Sequence, residues 1–244
     1  MNHRYWPLFG LSLATRELTL RPMTEADLTP LADLLPADVE LDPAATRFPM
    51  GEEPISRGTV LHQGYWRSYG SWRADAWRLT FTARAGERIL GLQELEGNDF
   101  PTLRTVDSAS WLAREARGRG YGKQMRAAVL ALAFGPLGAE LAITSAWHDN
   151  HASLGVSRAL GYLPNGESRL ARGDRADVLL HMRLPRADWL ASGLGDGVRI
   201  TGFEPCRPLF GLPAPDTRSA PGTPPAPSTA PAPSTTPGSG TPPA

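Results

Sequence analysis

The stretch EARGRGYGKQMRAAVL, residues 115–130, joins a basic, glycine-rich loop to the start of an apolar, helix-like run. Its glycines stand at alternate positions, Gly118, Gly120 and Gly122, and Lys123 follows the last of them. Glycine lets a ligand approach the backbone closely, and the first turn of a helix has N–H groups without intrahelical partners. Such N–H groups bind anions. The stretch therefore predicts a phosphate site where the loop enters the helix.

Two widespread phosphate-binding loops do not fit this stretch. A P-loop needs its first glycine where Arg117 stands, and a serine or threonine where Gln124 stands. A dinucleotide-binding fingerprint needs its glycines in a short turn directly after a strand, but charged residues separate Gly118 from the preceding apolar segment. The pattern that remains is Arg117-x-x-Gly120-x-Gly122, and the rest of the chain has to indicate which ligand carries the phosphate.

Composition and charge exclude several classes of protein. The 244 residues include 25 basic and 25 acidic side chains, so net charge gives no reason to expect nucleic acid or a membrane as partner. Cys206 is the single cysteine, which excludes an internal disulfide and is typical of a reducing compartment. Pro7 interrupts the apolar segment near the start, and GPLG breaks the apolar stretch 127–143, which argues against a secretory signal and a membrane span. We expect a cytoplasmic protein.

The domain organisation follows from a sharp change of composition near residue 213. Residues 213–244 consist almost wholly of proline, alanine, serine, threonine and glycine. Such a segment buries too little apolar surface to offset its ordering entropy, so a disordered tail is predicted. A proline-rich ligand for a partner domain stays open as an alternative. Residues 1–212 are predicted to form one folded domain.

The folded part alternates between strand-like and helix-like segments. AWRLTFTAR and RILGLQELEG predict a hairpin, LRTVDSASWLA (103–113) predicts one strand, and AELAITSAW (139–147) predicts a buried strand. Helices are predicted from Lys123 to Phe134 and over NHASLGVSRALGY, residues 150–162. This mixture places the chain in the α/β (α+β) class.

Two motifs in this order resemble the GCN5-related N-acetyltransferase (GNAT) superfamily. The first is Arg117-x-x-Gly120-x-Gly122 after SWLAREA, and the second is DNHASLGVSRALGY, residues 149–162. The resemblance covers roughly residues 17–184. In finer detail, these stretches are similar to the branch of ribosomal-protein N-acetyltransferases. RYWPLF, VDSASWL and CRPLFG resemble an actinobacterial subgroup with a mycobacterial succinyltransferase.

The resemblance implies a fold and a coenzyme. The fold is a mixed, mostly antiparallel sheet flanked by helices, in which the strands near 106–112 and 140–146 splay apart to admit the coenzyme. The co-substrate is acetyl-CoA or succinyl-CoA. The residues implied to bind it are Leu112, Arg117, Gly118, Arg119, Gly120, Gly122, Lys123, Asn150 and Ser153.

Each implied coenzyme contact has a chemical role. Backbone N–H groups of residues 118–123 face the pyrophosphate, with the dipole of the following helix behind them. The backbone of Leu112 holds the pantetheine arm and polarises the thioester carbonyl. Asn150 hydrogen-bonds the pantetheine arm and Ser153 its phosphate end, although Asn150 is also a typical helix N-cap.

Catalysis needs an amine freed of its proton and a proton for the leaving thiolate. Many members of the family carry a tyrosine as that acid seven residues after the asparagine, but Ser157 occupies the position here. Asp107 falls where related branches place a glutamate, so it is predicted to take the amine proton or to orient the acceptor, unless it faces solvent. Glu94 and Glu96 share one strand face by the two-residue period, and either line the acceptor site or are solvated.

The sequence thus predicts an acyl-CoA-dependent N-acyltransferase that works by direct attack of a primary amine, on a small molecule or at a protein lysine or N-terminus. No covalent intermediate is expected, because Cys206 lies outside the motifs. A catalytically weak acyl-CoA-binding regulator and an antibiotic-modifying acetyltransferase stay open. The 5 histidines show no metal-ligand spacing, so no metal is expected. Neither nucleic acid nor membrane is expected as a partner, and a homodimer stays open.

Overall fold

The computed structural model describes residues 4–40 and 55–213. Its strands are β1 (Ser12–Ala14), β2 (Thr19–Pro22), β3 (Trp77–Ala85), β4 (Arg88–Gly97), β5 (Thr105–Asp107), β6 (Ser110–Leu112), β7 (Leu141–Trp147), β8 (Leu163–Arg172), β9 (Arg175–Pro185) and β10 (Arg199–Thr201). Its α-helices are α1 (Leu28–Leu34), α2 (Ile55–Gly70), α3 (Phe100–Leu103), α4 (Tyr121–Phe134), α5 (His151–Ala159) and α6 (Arg186–Ser192). Most of the predicted tail, from residue 214 onward, lies outside the described residues.

The described strands form one sheet in the order β10-β1-β2-β3-β4-β5-β7-β9-β8, and β6 pairs with β4. Every pairing is antiparallel except that of β5 with β7. The prediction of a mixed, mostly antiparallel sheet flanked by helices is therefore confirmed. The predicted hairpin is β3 with β4, and the predicted central helix is α4, which begins at Tyr121, two residues earlier than expected.

Helices cover both faces of the sheet. Side chains alternate along a strand, so Leu95 of β4 lies in the main core with Val129 of α4, whereas Leu92 packs on the other side with Leu28 of α1 and Tyr65 of α2. We call the side toward α1 and α2 the front face. Glu94 and Glu96 belong to this front face, because they alternate with Leu95.

The strand predicted at residues 103–113 is two short strands, β5 and β6, separated by Ser108 and Ala109. The cause lies in β4. The fully buried side chain of Gln93 donates from Nε2 to the carbonyls of Glu94, at 3.0 Å, and of Ala109, at 2.9 Å. It thereby occupies the Glu94 carbonyl, which would accept from the N–H of Ala109 in a regular antiparallel pair.

Gly91 lets β6 stay against β4 beyond this break. It pairs with Leu112, and a Cβ added to it would lie 2.2 Å from the carbonyl oxygen of Trp111. Any other residue at this position would push the two strands apart, because real Cβ atoms do not come so close. The glycine thus helps to hold β6 on the β4 side of the sheet.

Candidate functional site

A cleft opens between β6 and β7 at the end of β5. The strand β7 pairs with β5 as far as Ile143, opposite Asp107, while β6 pairs with β4 instead. The cavity between β6 and the rest of β7 measures about 520 Å³. It is lined by residues 38–40, 108–112, 117, 122, 126, 144–147, 149–150, 152–153, 156, 172 and 179. We call the end of this cleft at Ser108, which directly follows Asp107 of β5, the apex.

The edge of β6 that faces the cleft offers backbone hydrogen-bonding groups. The N–H of Glu94 donates to the carbonyl of Ala109 over 2.7 Å, so Ala109 points its carbonyl toward β4. In an antiparallel pair, alternate residues point their N–H and C=O groups to opposite edges. Ser110 and Leu112 therefore direct theirs into the cleft. An extended, amide-containing chain can pair with such an edge as an added strand does.

The predicted coenzyme residues divide into two groups. Those that line the cleft are Leu112, Arg117, Gly122, Asn150 and Ser153. Those that are exposed at its mouth, in the loop before α4 or in the first turn of that helix, are Gly118, Arg119, Gly120 and Lys123. Gly120 has a φ of +78°, a conformation that favours glycine, and it is the N-cap of α4. The unpaired N–H groups of the α4 N-terminus thus lie beside the cleft.

The segment 38–40 crosses one side of the cleft between two arginines. Asp38 accepts from both terminal nitrogens of Arg117, at 2.7 and 2.9 Å, and this guanidinium lowers the pKa of Asp38 to about 2. Glu40 accepts from Nε of Arg172 over 2.7 Å. The Arg172 guanidinium lies over the ring of Trp147, at 4.9 Å from its centroid. Sequence reasoning missed this segment, because its partners are distant in the chain.

Asn150 proves to be a helix cap that still lines the cleft. Its Oδ1 accepts from the N–H of Ser153 over 3.0 Å, which leaves the amide Nδ2 group to donate toward a ligand. The cap and the coenzyme role are therefore compatible. Ser157 is 1% exposed, its hydroxyl donates to the carbonyl of Ser153 over 3.1 Å, and it does not line the cleft. The geometry gives no support to Ser157 as the acid.

Asp107 lies at the apex on the front face, half-buried and opposite Glu96 of β4. Burial raises its pKa to about 6, and the negative charge of Glu96 raises it further. The hydrogen bond from the N–H of Ser108 and the positive charges of Arg126 and Arg78 act to lower it. Glu96 is itself paired with Arg78, at 2.7 Å. Asp107 therefore does not face open solvent, and its carboxyl changes charge near neutral pH.

Arg126 is a functional candidate that sequence reasoning missed. It is 3% exposed in the middle of α4, and it lines the cleft together with Ser108 and Thr144. Its guanidinium donates to Oγ1 of Thr144 over 3.3 Å, and its Nε has no partner. Within the described residues it forms no ion pair. Its charge acts to lower the pKa of Asp107, although the two form no direct ion pair. A buried cation that lacks a direct ion pair is unfavourable, so this position fits an anionic ligand group. The sequence feature that could have identified Arg126 is its position as an arginine within an otherwise apolar helical run.

A hydrogen-bonded chain of three side chains lies on the β7 side of the cleft. Ser145 lines the cleft and bonds to Nδ1 of His181 over 2.8 Å, and Nε2 of His181 bonds to Ser168 over 2.8 Å. These residues come from β7, β9 and β8. No sequence spacing connects them, because the register of three strands brings them together.

Three further features concern possible metal ligands, apolar helices and the cysteine in the part of the chain that the structure describes. No group of three or more histidine, cysteine, aspartate or glutamate side chains could hold a metal ion there. No helix within residues 4–40 and 55–213 has both the length and the apolar character that a membrane crossing requires. Cys206 is fully buried outside the cleft, and burial raises the pKa of its thiol to about 11, so it is no accessible nucleophile.

Comparisons with known proteins point to one family. The sequence model of the acetyltransferase (GNAT) domain matches residues 17–163. Among solved structures, the chain is similar to a chimera of the spermidine N-acetyltransferase SpeG from Vibrio cholerae and hSSAT, with 20% sequence identity and a TM-score of 0.56. The match covers 71% of this chain and 98% of the chimera. The Vibrio cholerae spermidine/spermine N-acetyltransferase with manganese is similar at 18% identity and a TM-score of 0.55, covering 72% of this chain and 96% of its own. At these identities the structures establish the fold.

Proposed function

The chain belongs to the acetyltransferase (GNAT) domain family, and on this premise we propose that it transfers an acyl group from coenzyme A to a primary amine by direct attack. The observation that carries the proposal is the cleft between β6 and β7, which runs from the N-terminus of α4 to the apex at Ser108. It presents an anion site at one end, and the titratable carboxyl of Asp107 lies next to the other end. No described thiol is placed to form an acyl-enzyme.

The coenzyme fits the cleft in one direction. Its pyrophosphate lies on the loop 117–123, where the N-terminus of α4 supplies N–H groups and positive dipole. The pantetheine arm follows the edge of β6 that faces the cleft, with the Nδ2 group of Asn150 opposite. Its backbone contacts are at Ser110 and at Leu112, whose carbonyl also accepts from Nε of Arg117 over 3.1 Å. The thioester then lies toward Ser108. Ser110 is closer to the apex than Leu112, so we assign the polarising of the thioester carbonyl to the N–H of Ser110.

The acceptor approaches from the front face at the apex. Glu94, Glu96 and Asp107 share this face. Glu96 is paired with Arg78 and Glu94 accepts from Thr80 over 3.2 Å, so the carboxylate of Asp107 is the one proposed to favour an amine that arrives with a positive charge. The structural neighbours named above are spermidine N-acetyltransferases, which fits a cationic amine as the acceptor class. Asp107 is half-buried beside the thioester end, so we propose that it holds the acceptor ammonium.

The donor is proposed to carry a terminal carboxylate, with succinyl-CoA as the example and acetyl-CoA as the alternative. Arg126 supports this choice, because it places a buried, unpaired cation at the thioester end of the cleft. The resemblance of RYWPLF, VDSASWL and CRPLFG to an actinobacterial subgroup with a succinyltransferase points the same way.

The proposed function is tested by binding and turnover together. The purified protein is examined by mass spectrometry for retained coenzyme, and CoA binding is measured by calorimetry. A panel of amines, including polyamines and a lysine peptide, is then assayed with acetyl-CoA and succinyl-CoA. CoA binding with turnover of at least one amine supports the proposal. CoA binding without turnover favours the acyl-CoA-binding regulator, and the absence of CoA binding contradicts the assignment of the cleft.

Gly122→Val is expected to weaken CoA binding by about tenfold or more, while the melting temperature stays close to wild type. Gly122 lines the cleft in the first turn of α4, and an added Cβ would make ordinary contacts, at 3.5 Å to Val156 and 3.8 Å to Leu112. Larger groups there enter the space assigned to the coenzyme. Calorimetry with CoA measures the effect.

The matched control is Gly155→Val in α5, where nothing lies within 4 Å of an added Cβ and the position does not line the cleft. It should bind CoA as wild type does. Equal CoA affinity in Gly122→Val and Gly155→Val would contradict the path assigned to the coenzyme.

The activity is proposed to reside in residues 1–212, with 213–244 as a tail. A variant that ends at Pro213 is the better test, because the carbonyl of Pro213 accepts from Nε of Arg207 over 2.8 Å. We expect its melting temperature within about 2 °C of the full chain and unchanged turnover, since the tail composition cannot form a core. A large loss of stability or of turnover after this truncation would show that the tail contributes to the domain.

A further inference from the structure

Acyl transfer to an amine needs a group that moves a proton from nitrogen to sulfur, and Ser157 is not placed to do so. Its hydroxyl is buried on the carbonyl of Ser153 and does not reach the cleft. Any replacement must lie on the cleft wall near the apex and must be able both to accept and to donate a proton. A hydroxyl that is hydrogen-bonded to an imidazole satisfies both conditions.

Ser145 is such a hydroxyl. It lies on β7 two residues after Ile143, which pairs with Asp107, so Ser145 and Asp107 are on the same face of the sheet at the apex. It is the first residue of β7 beyond the apex to point to the front face. It also lines the cleft and is exposed, so an amine approaching from the front face can touch its hydroxyl.

His181 stands directly behind Ser145. Ser145 and His181 are opposite each other in the β7–β9 pair, and Oγ lies 2.8 Å from Nδ1. The hydroxyl of Ser168 on β8 holds the other ring nitrogen, Nε2, at 2.8 Å. With the proton on Nε2, that nitrogen donates to Ser168 and Nδ1 accepts from Ser145. The imidazole is therefore oriented, and the lone pair on Nδ1 is aimed at the cleft-lining hydroxyl.

We propose that Ser145 is a catalytic residue of the transfer, an inference that rests on the proposed function. His181, held by Ser168, is the positioning residue that exchanges a proton with Ser145. As nitrogen attacks, the C–N bond forms and Ser145 accepts a proton from nitrogen while its own passes to Nδ1. On collapse the C–S bond breaks, Ser145 protonates the thiolate, and the imidazolium returns a proton to Ser145. An acceptor that arrives as an ammonium releases one further proton to water before attack, so the protons balance.

The charged groups around His181 define the expected pH dependence. On the front face these are Asp107 of β5 and Arg183 of β9, while Glu167 and Arg169 of β8 flank Ser168 and point to the opposite face by alternation. Once an acceptor ammonium is bound at Asp107, that carboxylate is paired and stays ionised. The pH profile of kcat, which reflects the enzyme–substrate complex, is therefore the profile to compare between wild type and a His181 variant.

The test compares Ser145→Ala, His181→Asn and the double variant with wild type. We expect kcat to fall by about 10²–10³-fold in each single variant, with little further loss in the double variant, because the two residues act as a unit. CoA affinity by calorimetry should stay within about twofold of wild type, and the pH profile of kcat in His181→Asn should differ from that of wild type. Ser145→Thr keeps the hydroxyl and should recover most of the activity.

The matched control is His148→Asn, because His148 is an exposed histidine paired with Asp177 over 3.0 Å and does not line the cleft. It should keep wild-type kcat and pH profile. Unchanged kcat and pH profile in His181→Asn, additive losses in the double variant, or an acyl group trapped on Ser145 would each overturn the proton exchange. Those results leave the transfer itself standing, whereas a wild type that binds CoA but acylates no amine contradicts the proposed function and this inference with it.

Discussion

Asp107→Asn is expected to lower kcat/KM for the amine acceptor by about 10²-fold while CoA affinity stays within about twofold of wild type. Asparagine keeps the size of the side chain and can still accept from the N–H of Ser108, which lies 2.6 Å from Oδ1 of Asp107. It loses the charge that is proposed to hold the acceptor ammonium. Removing one partner of such a buried, charged contact costs about 2–5 kcal/mol.

The pH dependence separates the two roles that Asp107 could have. Its pKa is raised to about 6, chiefly by burial, so kcat/KM of wild type should fall below about pH 6 as the carboxylate is protonated. If Asp107 holds the ammonium, the variant shows a raised KM for the acceptor and little recovery at high pH. If it is the base, high pH restores part of kcat, because more acceptor arrives unprotonated.

The raised pKa of Asp107 also affects stability. Ionisation of the carboxyl, which is expected to raise kcat/KM, is expected to lower the free energy of unfolding. The folded state keeps a proton on Asp107 up to about pH 6, whereas the ordinary pKa of an aspartate is 3.8. Between these values the folded state binds more protons than the unfolded one, so the free energy of unfolding falls as pH rises. Above pH 6 the ionised carboxyl destabilises the fold by at most about 3 kcal/mol.

Asp107→Asn should therefore melt at or above the wild-type temperature at pH 8, and this gain should vanish near pH 4. Calorimetry or circular dichroism at both pH values measures the difference. Glu87→Gln is a matched control, since it removes an exposed carboxylate at the β3–β4 turn, outside the cleft. Unchanged kcat/KM and unchanged acceptor KM in Asp107→Asn would remove Asp107 from the site.

Local features of the sequence predicted individual elements, whereas the architecture of the sheet was implied by the family resemblance. The loop at residues 117–123 and the helix that follows it are adjacent in sequence, and the N-cap at Asn150 lies three residues from its partner Ser153. The break between β5 and β6 was not predictable, since it depends on the side chain of Gln93 in another strand. Periodicity along residues 103–113 contains no sign of that contact.

The candidate site differs in how much of it is visible in the sequence. The residues proposed to bind phosphate belong to one continuous loop, whereas Ser145, His181 and Ser168 are brought together by the register of three strands. Arg126 is a different case, because a charge inside the apolar run of α4 was visible in the sequence. Its importance depends on the lack of a direct ion pair within the described residues, which only the packed structure reveals.

Arg126→Met is expected to lower kcat/KM for succinyl-CoA by about 10²–10³-fold and to leave kcat/KM for acetyl-CoA within about threefold of wild type. The guanidinium is buried at the thioester end of the cleft, with Nε unpaired. A terminal carboxylate on the acyl group can pair with it, and removing one partner of a buried ion pair costs about 3–5 kcal/mol. An acetyl group lacks that carboxylate and loses no ion pair.

Three comparisons make this result specific to a carboxylate contact. Arg126→Lys keeps the charge but not the two-pronged donor, so it should retain part of the preference for succinyl-CoA. Arg158→Met removes an exposed arginine of α5 outside the cleft and should leave both donors unaffected. The melting temperature of Arg126→Met should equal or exceed that of wild type, because an unpaired buried charge is replaced by an apolar chain of similar length. If both donors lose activity equally, Arg126 acts on the thioester carbonyl common to them, and the carboxylate-bearing donor loses its support.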